Sequence, residues 1–250
     1  MNSLYASLIA YWNFQEAAGA SRVNVAGAAA NLSGAGVTAV DGFIGSASGY
    51  SGGVISTTSS TAALQGGPKD YTFAGWIKIS SFSASAYGIL SKASGVAGHK
   101  EYLLRYTGTG TDRFTFSVYR ATDSANTATA NTFGAVSSHS GEWIFIAAWN
   151  DKTGLTVNIE VNGGATDSTS LGGATQAAST DPLAFAANDG GGTNPLTGTI
   201  AEWGKWDRVL TRQERLYLYN NGRGRTFPFV GGRSLTNTRH KKSRRMAGIL

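Results

Sequence analysis

The residue types that could carry out catalysis are few in this chain and lie far apart. Retaining glycosidases use two carboxylates about 5–5.5 Å apart, a spacing that residues two positions apart on one strand face can meet. Here Glu142, Glu160 and Glu202 each stand without an acidic residue two positions away. We therefore expect each of them at the surface or at a strand end, and we expect no enzymatic activity from a carboxylate pair.

Other chemistry-bearing patterns are equally weak. The chain has no Cys, which excludes a thiol nucleophile and fits a reducing compartment or an assembly that does not depend on oxidation. His99 and His139 lie in polar loop sequence, where a surface role is expected. The glycine run 189–193 is followed by neither Lys-Ser/Thr nor a helix pattern, so it does not predict a phosphate-binding loop. The sequence predicts no catalytic residue.

The basic charge is concentrated at the carboxyl end. The formal net charge is +6, with 21 Lys and Arg against 15 Asp and Glu. Residues 231–250 hold six of the basic residues and no acid, which leaves 15 basic against 15 acidic residues in positions 1–230. The body is neutral, and this disfavours a domain that coats nucleic acid through its whole surface.

Alternating apolar residues predict a series of strands. The chain has 34 Gly and only 14% charged residues, and 250 residues can form one large β domain. Strands are predicted at 8–14, Tyr71–Ile79, 143–149 (a central strand, apolar on both faces) and 155–161, with a hairpin formed by 101–106 and Arg113–Tyr119. Asn162-Gly163 predicts a type I′ turn, and residues 120–142 and 163–180 are expected to be loops.

One helix is predicted near the carboxyl end. Thr211-Arg-Gln-Glu214 has the spacing of a capping box, in which the Thr hydroxyl and the Glu carboxylate each bond the other residue's backbone amide. Gly222 can adopt the left-handed conformation that ends a helix. The first basic residue is Arg22 and no apolar run reaches 18 residues, so we expect the chain to start at its fold, with no signal peptide and no membrane partner.

Four segments, in this order, resemble the laminin-G-like branch of the concanavalin A-like sandwiches: 8–16, 42–52, Tyr71–Ile79 and 198–222. The resemblance covers about residues 4–229. It implies an all-β fold, a two-sheet antiparallel jelly-roll sandwich with one short C-terminal helix, in which the first strand lies near the last. We expect a laminin-G-like domain over 1–229 and a basic C-terminal tail over 230–250.

The resemblance also implies a calcium site at the rim of the sandwich, but two acidic positions differ. Family members commonly carry Asp in the loop after the opening strand and Asp-Glu near the start of the last strand, where this chain has Asn24 and Ala201-Glu202. Asn188 and Asp189 could supply oxygens, although Asn-Asp-Gly is also ordinary turn sequence. Calcium prefers six to eight oxygens, so we expect no cofactor and no metal residue, with calcium as the alternative.

Members of this family usually bind glycans or proteins. The basic tail of this chain suggests which kind of binding to expect. We expect a non-enzymatic virion structural protein, of the capsid-decoration or fibre type found in bacteriophages, made in the host cytoplasm without a signal peptide. Its tail would bind other protein subunits of the assembly, copies of this chain included. The expected partner-binding residues are Arg239, Lys241, Lys242, Arg244, Arg245, Ile249 and Leu250.

Two alternatives stay open. The first is a carbohydrate-binding module of a bacterial surface or secreted system. Its nominal sugar contacts are Trp76, Tyr119, Trp203 and Trp206, although a core role is expected for each, so the glycan-binding residues are not identified. The second is salt-dependent nucleic-acid binding by the tail, which is disfavoured because no aromatic residue lies between the basic ones.

Overall fold

The computed structural model describes residues 4–229, except for 28, 30, 35, 58–61, 83–85, 95, 97, 109, 123–124 and 173–174. Every predicted partner-binding residue of the tail lies outside the described residues. The domain boundary at 229 and the role of the tail therefore stay predictions.

The described chain consists almost entirely of strands. In chain order they are β1 (Leu8–Trp12), β2 (Asn24–Gly27), β3 (Leu32–Ser33), β4 (Val37–Asp41), β5 (Ser46–Ser51), β6 (Ile55–Thr57), β7 (Tyr71–Ile79), β8 (Tyr87–Lys92), β9 (Tyr102–Thr107), β10 (Arg113–Tyr119), β11 (Ala125–Thr129), β12 (Ile144–Asp151), β13 (Thr156–Val161), β14 (Thr166–Ser170), β15 (Ala184–Phe185) and β16 (Thr197–Trp206). Within the described residues there is one α-helix, α1 (Arg212–Tyr219), along with short 3-10 turns.

The strands form two antiparallel sheets. The larger sheet has the order β14-β13-β12-β7-β16-β1-β2, with β5 paired to β16 and β4 paired to β5. The smaller sheet has the order β11-β10-β9-β8-β15-β6-β3. The first strand, β1, pairs with the last, β16, from Leu8 opposite Trp206 to Trp12 opposite Trp203. The all-β, two-sheet jelly-roll prediction is confirmed.

Local sequence patterns explain the central strands. In β7, Tyr71, Phe73, Ile77 and Ile79 face the core between the sheets, while Trp76 faces outward. This is the period-2 arrangement that the sequence predicts. β12 pairs with β7 and β13 and is buried on both faces, as predicted for 143–149.

Turns follow their predicted chemistry, and two loop predictions are wrong. The β9–β10 hairpin is confirmed. Asn162 and Gly163 both have positive φ, 51° and 66°, as a type I′ turn requires. However, 120–142 contains β11 and 163–180 contains β14. Both strands are rich in Ser, Thr and Ala, so apolar alternation could not reveal them.

The outer face of the larger sheet is apolar and is covered by the segment 207–229. Trp76, Phe145, Trp149 and Trp206 form a cluster there with residues of α1 and its flanks, among them Leu218. None of the described helices reaches the length and apolarity that a membrane span requires. The segment after β16 therefore completes a second apolar layer.

The ends of α1 are capped as a short helix requires. The capping box is present, with the Thr211 hydroxyl accepting from the Glu214 amide at 3.3 Å and the Thr211 amide donating to Glu214 Oε2 at 2.9 Å. The helix ends at Tyr219, and the left-handed cap is Asn220, whose φ is 49°, two residues before the predicted Gly222. Asn tolerates the left-handed conformation nearly as Gly does, which explains the early stop.

Candidate binding site

Two of the three isolated glutamates are buried. Glu160 lies next to the end of β13, which the prediction of a surface or strand-end position allows, whereas Glu202 lies inside β16, where that prediction is wrong. Glu160 and Glu202 are 1% and 3% exposed, whereas Glu142 is a surface residue that contacts His139 at 2.8 Å. Glu160 Oε2 accepts from Nη2 of Arg215 at 2.8 Å and from its Nε at 3.0 Å. That partner lies 55 residues away on α1, and sequence spacing gives no sign of it.

Glu202 is buried at an irregular point of β16. Its φ is 55°, and the pairing of β16 with β7 shifts between Ala201 and Gly204. The Tyr11 hydroxyl donates to Oε2 at 2.7 Å and the Gln15 amide donates to Oε1 at 2.9 Å. No ion pair to Glu202 occurs among the described residues. Burial, aided by the nearby Glu16 charge, raises the pKa of Glu202 to about 7, although the hydrogen bonds oppose the shift.

A surface cleft lies beside this cluster. It has a volume of about 240 Å³ and is lined by Ile44, Gly224, Arg225, Thr226 and Phe229. Tyr11 and Gln15 connect it to the buried carboxyl, because Tyr11 also donates to the Arg225 carbonyl at 3.3 Å and Gln15 to the Ile44 carbonyl at 3.2 Å. Glu202 itself does not line the cleft. The arrangement holds the carboxyl-terminal segment against the sheet.

A second buried polar cluster lies between the sheets. Lys92 Nζ contacts Glu101 Oε1 at 2.5 Å, and Glu101 also accepts from the backbone amides of Gly66 and Ser179. Lys205 is fully buried and donates to the Ala63 carbonyl at 2.9 Å. Burial, reinforced by the Lys69 charge, lowers the pKa of Lys205 to about 7. Because Lys92 and Lys205 are enclosed, we assign these charges a structural role.

The sequence also contains one hydrolase-like spacing. Gly49-Tyr-Ser-Gly-Gly53 matches Gly-x-Ser-x-Gly, the pattern of a nucleophile elbow. That motif requires a strand-to-helix turn, but Ser51 ends β5 and the chain continues through residues 52–54 into another strand, β6. His99 contacts Asp181 at 3.3 Å and His139 contacts Glu142. The match therefore does not form a catalytic serine site.

Three of the four nominal sugar-contacting aromatics are core residues. Trp76, Trp203 and Trp206 are at most 2% exposed, and the indole N–H groups of Trp203 and Trp206 donate to the backbone carbonyls of Trp76 and Leu4. Tyr119 differs, since it is half-buried at the end of β10 with Lys100 Nζ at 5.8 Å from its ring centre. Only Tyr119 of the four can meet a ligand.

Tyr119 belongs to a polar surface, the outward face of β9–β11. In these strands Leu104, Phe114, Phe116, Val118 and Ala128 face the core, so the alternate residues point away from it. Those residues are Leu103, Arg105, Thr107, Arg113, Thr115, Ser117, Tyr119, Ala125, Thr127 and Thr129. The alternation of Arg, Thr, Ser and Tyr with apolar residues in β10 is visible in the sequence and could have identified this face.

Hydroxyls on this face pair across the strands. Ser117 and Thr127 are opposite in register with their hydroxyls 2.8 Å apart, and the hydroxyls of Thr107 and Thr115 are 3.4 Å apart. Thr115 and Ser117 are buried, whereas Arg105, Arg113, Tyr119, Thr127 and Thr129 are half-buried and reach the surface. The face therefore offers donors, acceptors and one aromatic ring, and β9, β10 and β11 contain no Asp or Glu.

The residues at the family's calcium positions do not fit a calcium ion. Asn24 Oδ1 accepts from the amides of Tyr11 and Ala26, and its Nδ2 donates to the Ala29 carbonyl. Glu202 faces two hydrogen-bond donors, not other oxygen ligands. Asp189 accepts from the Gly191 and Thr193 amides in a turn. In the described part of the chain no three acidic, His or Cys side chains gather as metal ligands.

Comparison with known proteins agrees with this architecture. Residues 49–214 match the Laminin_G_3 family model, described as the concanavalin A-like lectin/glucanases superfamily. A search of curated proteins found no match.

Solved structures share the fold at low identity. The binding domain of Paraclostridial Mosquitocidal Protein 1 has a TM-score of 0.70 at 14% identity, over 88% of this chain and 53% of that one. A second similar structure is Domain 4 of AbnA, a GH43 extracellular arabinanase from Geobacillus stearothermophilus, in complex with arabinotriose. Its TM-score is 0.61 at 16% identity, over 88% of this chain and 98% of that one. The receptor binding domain of botulinum neurotoxin mosaic serotype C/D has a TM-score of 0.67 at 15% identity, over 86% of this chain and 50% of that one.

This chain thus spans about half the length of the two toxin domains. The TM-scores establish that these structures share the fold of this chain, but at such low sequence identity they do not assign it a ligand. The family model, in contrast, covers well over half of this chain, and its match coincides with both sheets of the sandwich. The chain belongs to the concanavalin A-like lectin/glucanase superfamily, in its laminin-G-like branch.

Proposed function

We propose that the chain is a non-catalytic binding domain that recognises a glycan through the outward face of β9–β11. The observation that carries the proposal is the composition of that face, where hydroxyls and guanidinium groups surround Tyr119. Sugar hydroxyls both donate and accept hydrogen bonds, and Ser and Thr hydroxyls can do the same. The ring of Tyr119 adds an apolar surface for a sugar's C–H groups.

The state of the buried acids supports a non-enzymatic role. Glu101 and Glu160 are engaged by Lys92 and Arg215, and Glu202 is held by Tyr11 and Gln15. None of the three belongs to the outward face of β9–β11. Structural relatives with the same sandwich include a domain solved with arabinotriose and toxin receptor-binding domains, which supports binding as the function.

A glycan array probed with the full chain tests the proposal. We expect binding to at least one sugar class, and we expect Tyr119→Ala to weaken it about tenfold or more while the fold stays intact by circular dichroism. Tyr5→Ala is the matched control, because Tyr5 is an exposed Tyr (41%) packed against Phe227 and Phe229 on the opposite sheet. Equal losses from both variants would contradict the placement of the site.

We further propose that the sandwich is displayed on a virion, attached through the tail. The concentration of the chain's excess positive charge in 231–250 favours this second function, because Arg and Lys can pair with acidic groups of another subunit. Deleting 231–250 should leave a folded β domain that no longer joins its assembly. Unchanged incorporation into particles would contradict the attachment and leave the glycan proposal standing.

A further inference from the structure

We infer that the glycan site prefers an acidic sugar, whose carboxylate is bound by Arg105. This inference rests on the proposed glycan-binding function and specifies its ligand class. It starts from the position of Arg105 in the middle strand of the outward face of β9–β11, opposite Thr115 of β10 and Gly88 of β8.

Arg105 has no partner among the residues that the structure describes. It is half-buried, its Nε is enclosed by protein, and that atom has no hydrogen-bond partner among the residues that the structure describes. The described ion pairs do not include it either. Most buried donors in proteins are paired, so an arginine left in this state on a sheet face is a candidate ligand contact.

A segment of backbone borders the face next to Arg105. Gly88 lies opposite Arg105, and a Cβ at Gly88 would overlap the backbone of Ala187 and Asn188. The segment 187–188 therefore packs against β8 on the side where Arg105 points, since residues opposite in register share a face. The Asn188 backbone therefore borders this part of the face, while its Oδ1 is enclosed and has no hydrogen-bond partner among the described residues.

The charge of this face favours an anion. Arg113 is a second guanidinium on the face, opposite Thr107. Its Nη1 donates only to the carbonyls of Thr111 and Asp112 within the described residues. The Asp112 carboxylate is itself occupied by the Tyr106 hydroxyl and by Ser137. The charge of Asp112 nevertheless acts on Arg113, so Arg105 is the guanidinium of this face that no described ion pair offsets, and it favours a negative ligand.

A carboxylate matches a guanidinium better than a neutral hydroxyl does. Two parallel N–H···O bonds can form, and charge-assisted bonds are stronger than neutral ones. Uronic and sialic acids both supply this group on a hydroxyl-rich ring. The shared chemistry is therefore a carboxylate beside several hydroxyls, which corresponds to Arg105 on the same face as Thr115 and Thr129.

The test compares acidic glycans with matched neutral ones. The full chain is titrated with trigalacturonate and with sialyllactose, each beside its carboxyl-reduced form. We expect at least one acid form to bind about tenfold or more tightly than its reduced form. Arg105→Gln should remove that preference, and Arg105→Lys should retain part of it because the charge stays while the bidentate geometry is lost.

The controls separate this inference from the proposed function. Arg212→Gln removes an exposed arginine on α1, at the opposite sheet, and should leave the preference unchanged. Thermal unfolding of each variant shows whether it is folded. Equal binding of acid and reduced forms, or equal effects of Arg105→Gln and Arg212→Gln, would overturn the inference and leave glycan binding intact. If none of the four oligosaccharides binds, the acidic preference is overturned. If no glycan on a full array binds, the proposed glycan-binding function is overturned as well.

Discussion

The two outer faces of the sandwich differ in chemistry, although both are built from strands that alternate core and outward residues. On the larger sheet the outward residues are large and apolar, such as Trp76, Phe145 and Trp206, and the segment 207–229 packs over them. On the smaller sheet β9–β11 present Arg, Thr, Ser and Tyr. Apolar area that is removed from water stabilises the fold, so the first face serves stability.

The second face contributes less to folding. Its half-buried hydroxyls gain little relative to water, because folding replaces one set of hydrogen bonds with another. The difference indicates that substitutions on the larger sheet's outer face should unfold the protein, while those on β9–β11 should change binding. The following predictions test that contrast.

The largest effect is expected where α1 pairs with the larger sheet. Arg215→Met leaves Glu160 buried without a cation and removes the guanidinium that lies 4.1 Å from the Trp149 ring centre. The free energy of unfolding should fall by about 3–5 kcal/mol, measured by urea denaturation. The double variant Glu160→Gln/Arg215→Met removes the stranded charge and should be more stable than Arg215→Met alone. A double variant that is as unstable as the single one would contradict the ion-pair explanation.

The second prediction concerns the pH dependence that Glu202 confers. Because burial raises its pKa from 4.5 to about 7, the folded state binds the proton more tightly than the unfolded state. Stability from this group is present below pH 4.5 and is lost as the pH rises to about 7, by about 2–3 kcal/mol in all. Glu202→Gln should flatten the curve of unfolding free energy between these pH values. The exposed Glu142→Gln should leave the curve unchanged, and a flattening in that control would contradict the assignment to Glu202.

The third prediction tests the aromatic cover of the larger sheet. The Phe43 ring stacks on Trp76 with 4.3 Å between ring centres, and Phe43 is half-buried. Phe43→Ala should lower the unfolding free energy by about 1–3 kcal/mol, read from thermal or urea unfolding. Phe43→Leu keeps most of the apolar area and should lose less. Equal losses in both variants would show that the stacked ring is not the source of the stability.

The smallest effect is expected on the polar face. Thr129→Val replaces a half-buried hydroxyl on β11 with a methyl group of nearly the same shape. The unfolding free energy should change by no more than about 0.5 kcal/mol, while affinity for any bound glycan should fall. A large destabilisation would erase the contrast between the two faces, since it would give β9–β11 the same structural role as the larger sheet's outer face.

Sequence patterns predicted the local structure well wherever neighbours in the chain decide it. The capping box at Thr211 and Glu214, the turn at Asn162-Gly163 and the alternation of β7 all depend on residues within a few positions of one another. β11 and β14 were not predicted because their Ser, Thr and Ala residues show no apolar alternation. These segments form strands through their pairing with β10 and β13. Edge strands of this composition have no apolar period of their own.

The chemical state of the glutamates and arginines depended on contacts across the fold. Patterns along the chain, together with the family resemblance, were enough to predict the two-sheet class, the order of the main strands, the capped helix and the neutral body with its basic end. Tertiary packing alone decides that Glu160 pairs with Arg215, that Tyr11 reaches Glu202 across 191 positions, and that Arg105 Nε has no hydrogen-bond partner among the described residues. Burial and charge pairing are properties of the three-dimensional neighbourhood, and no spacing along the chain encodes them.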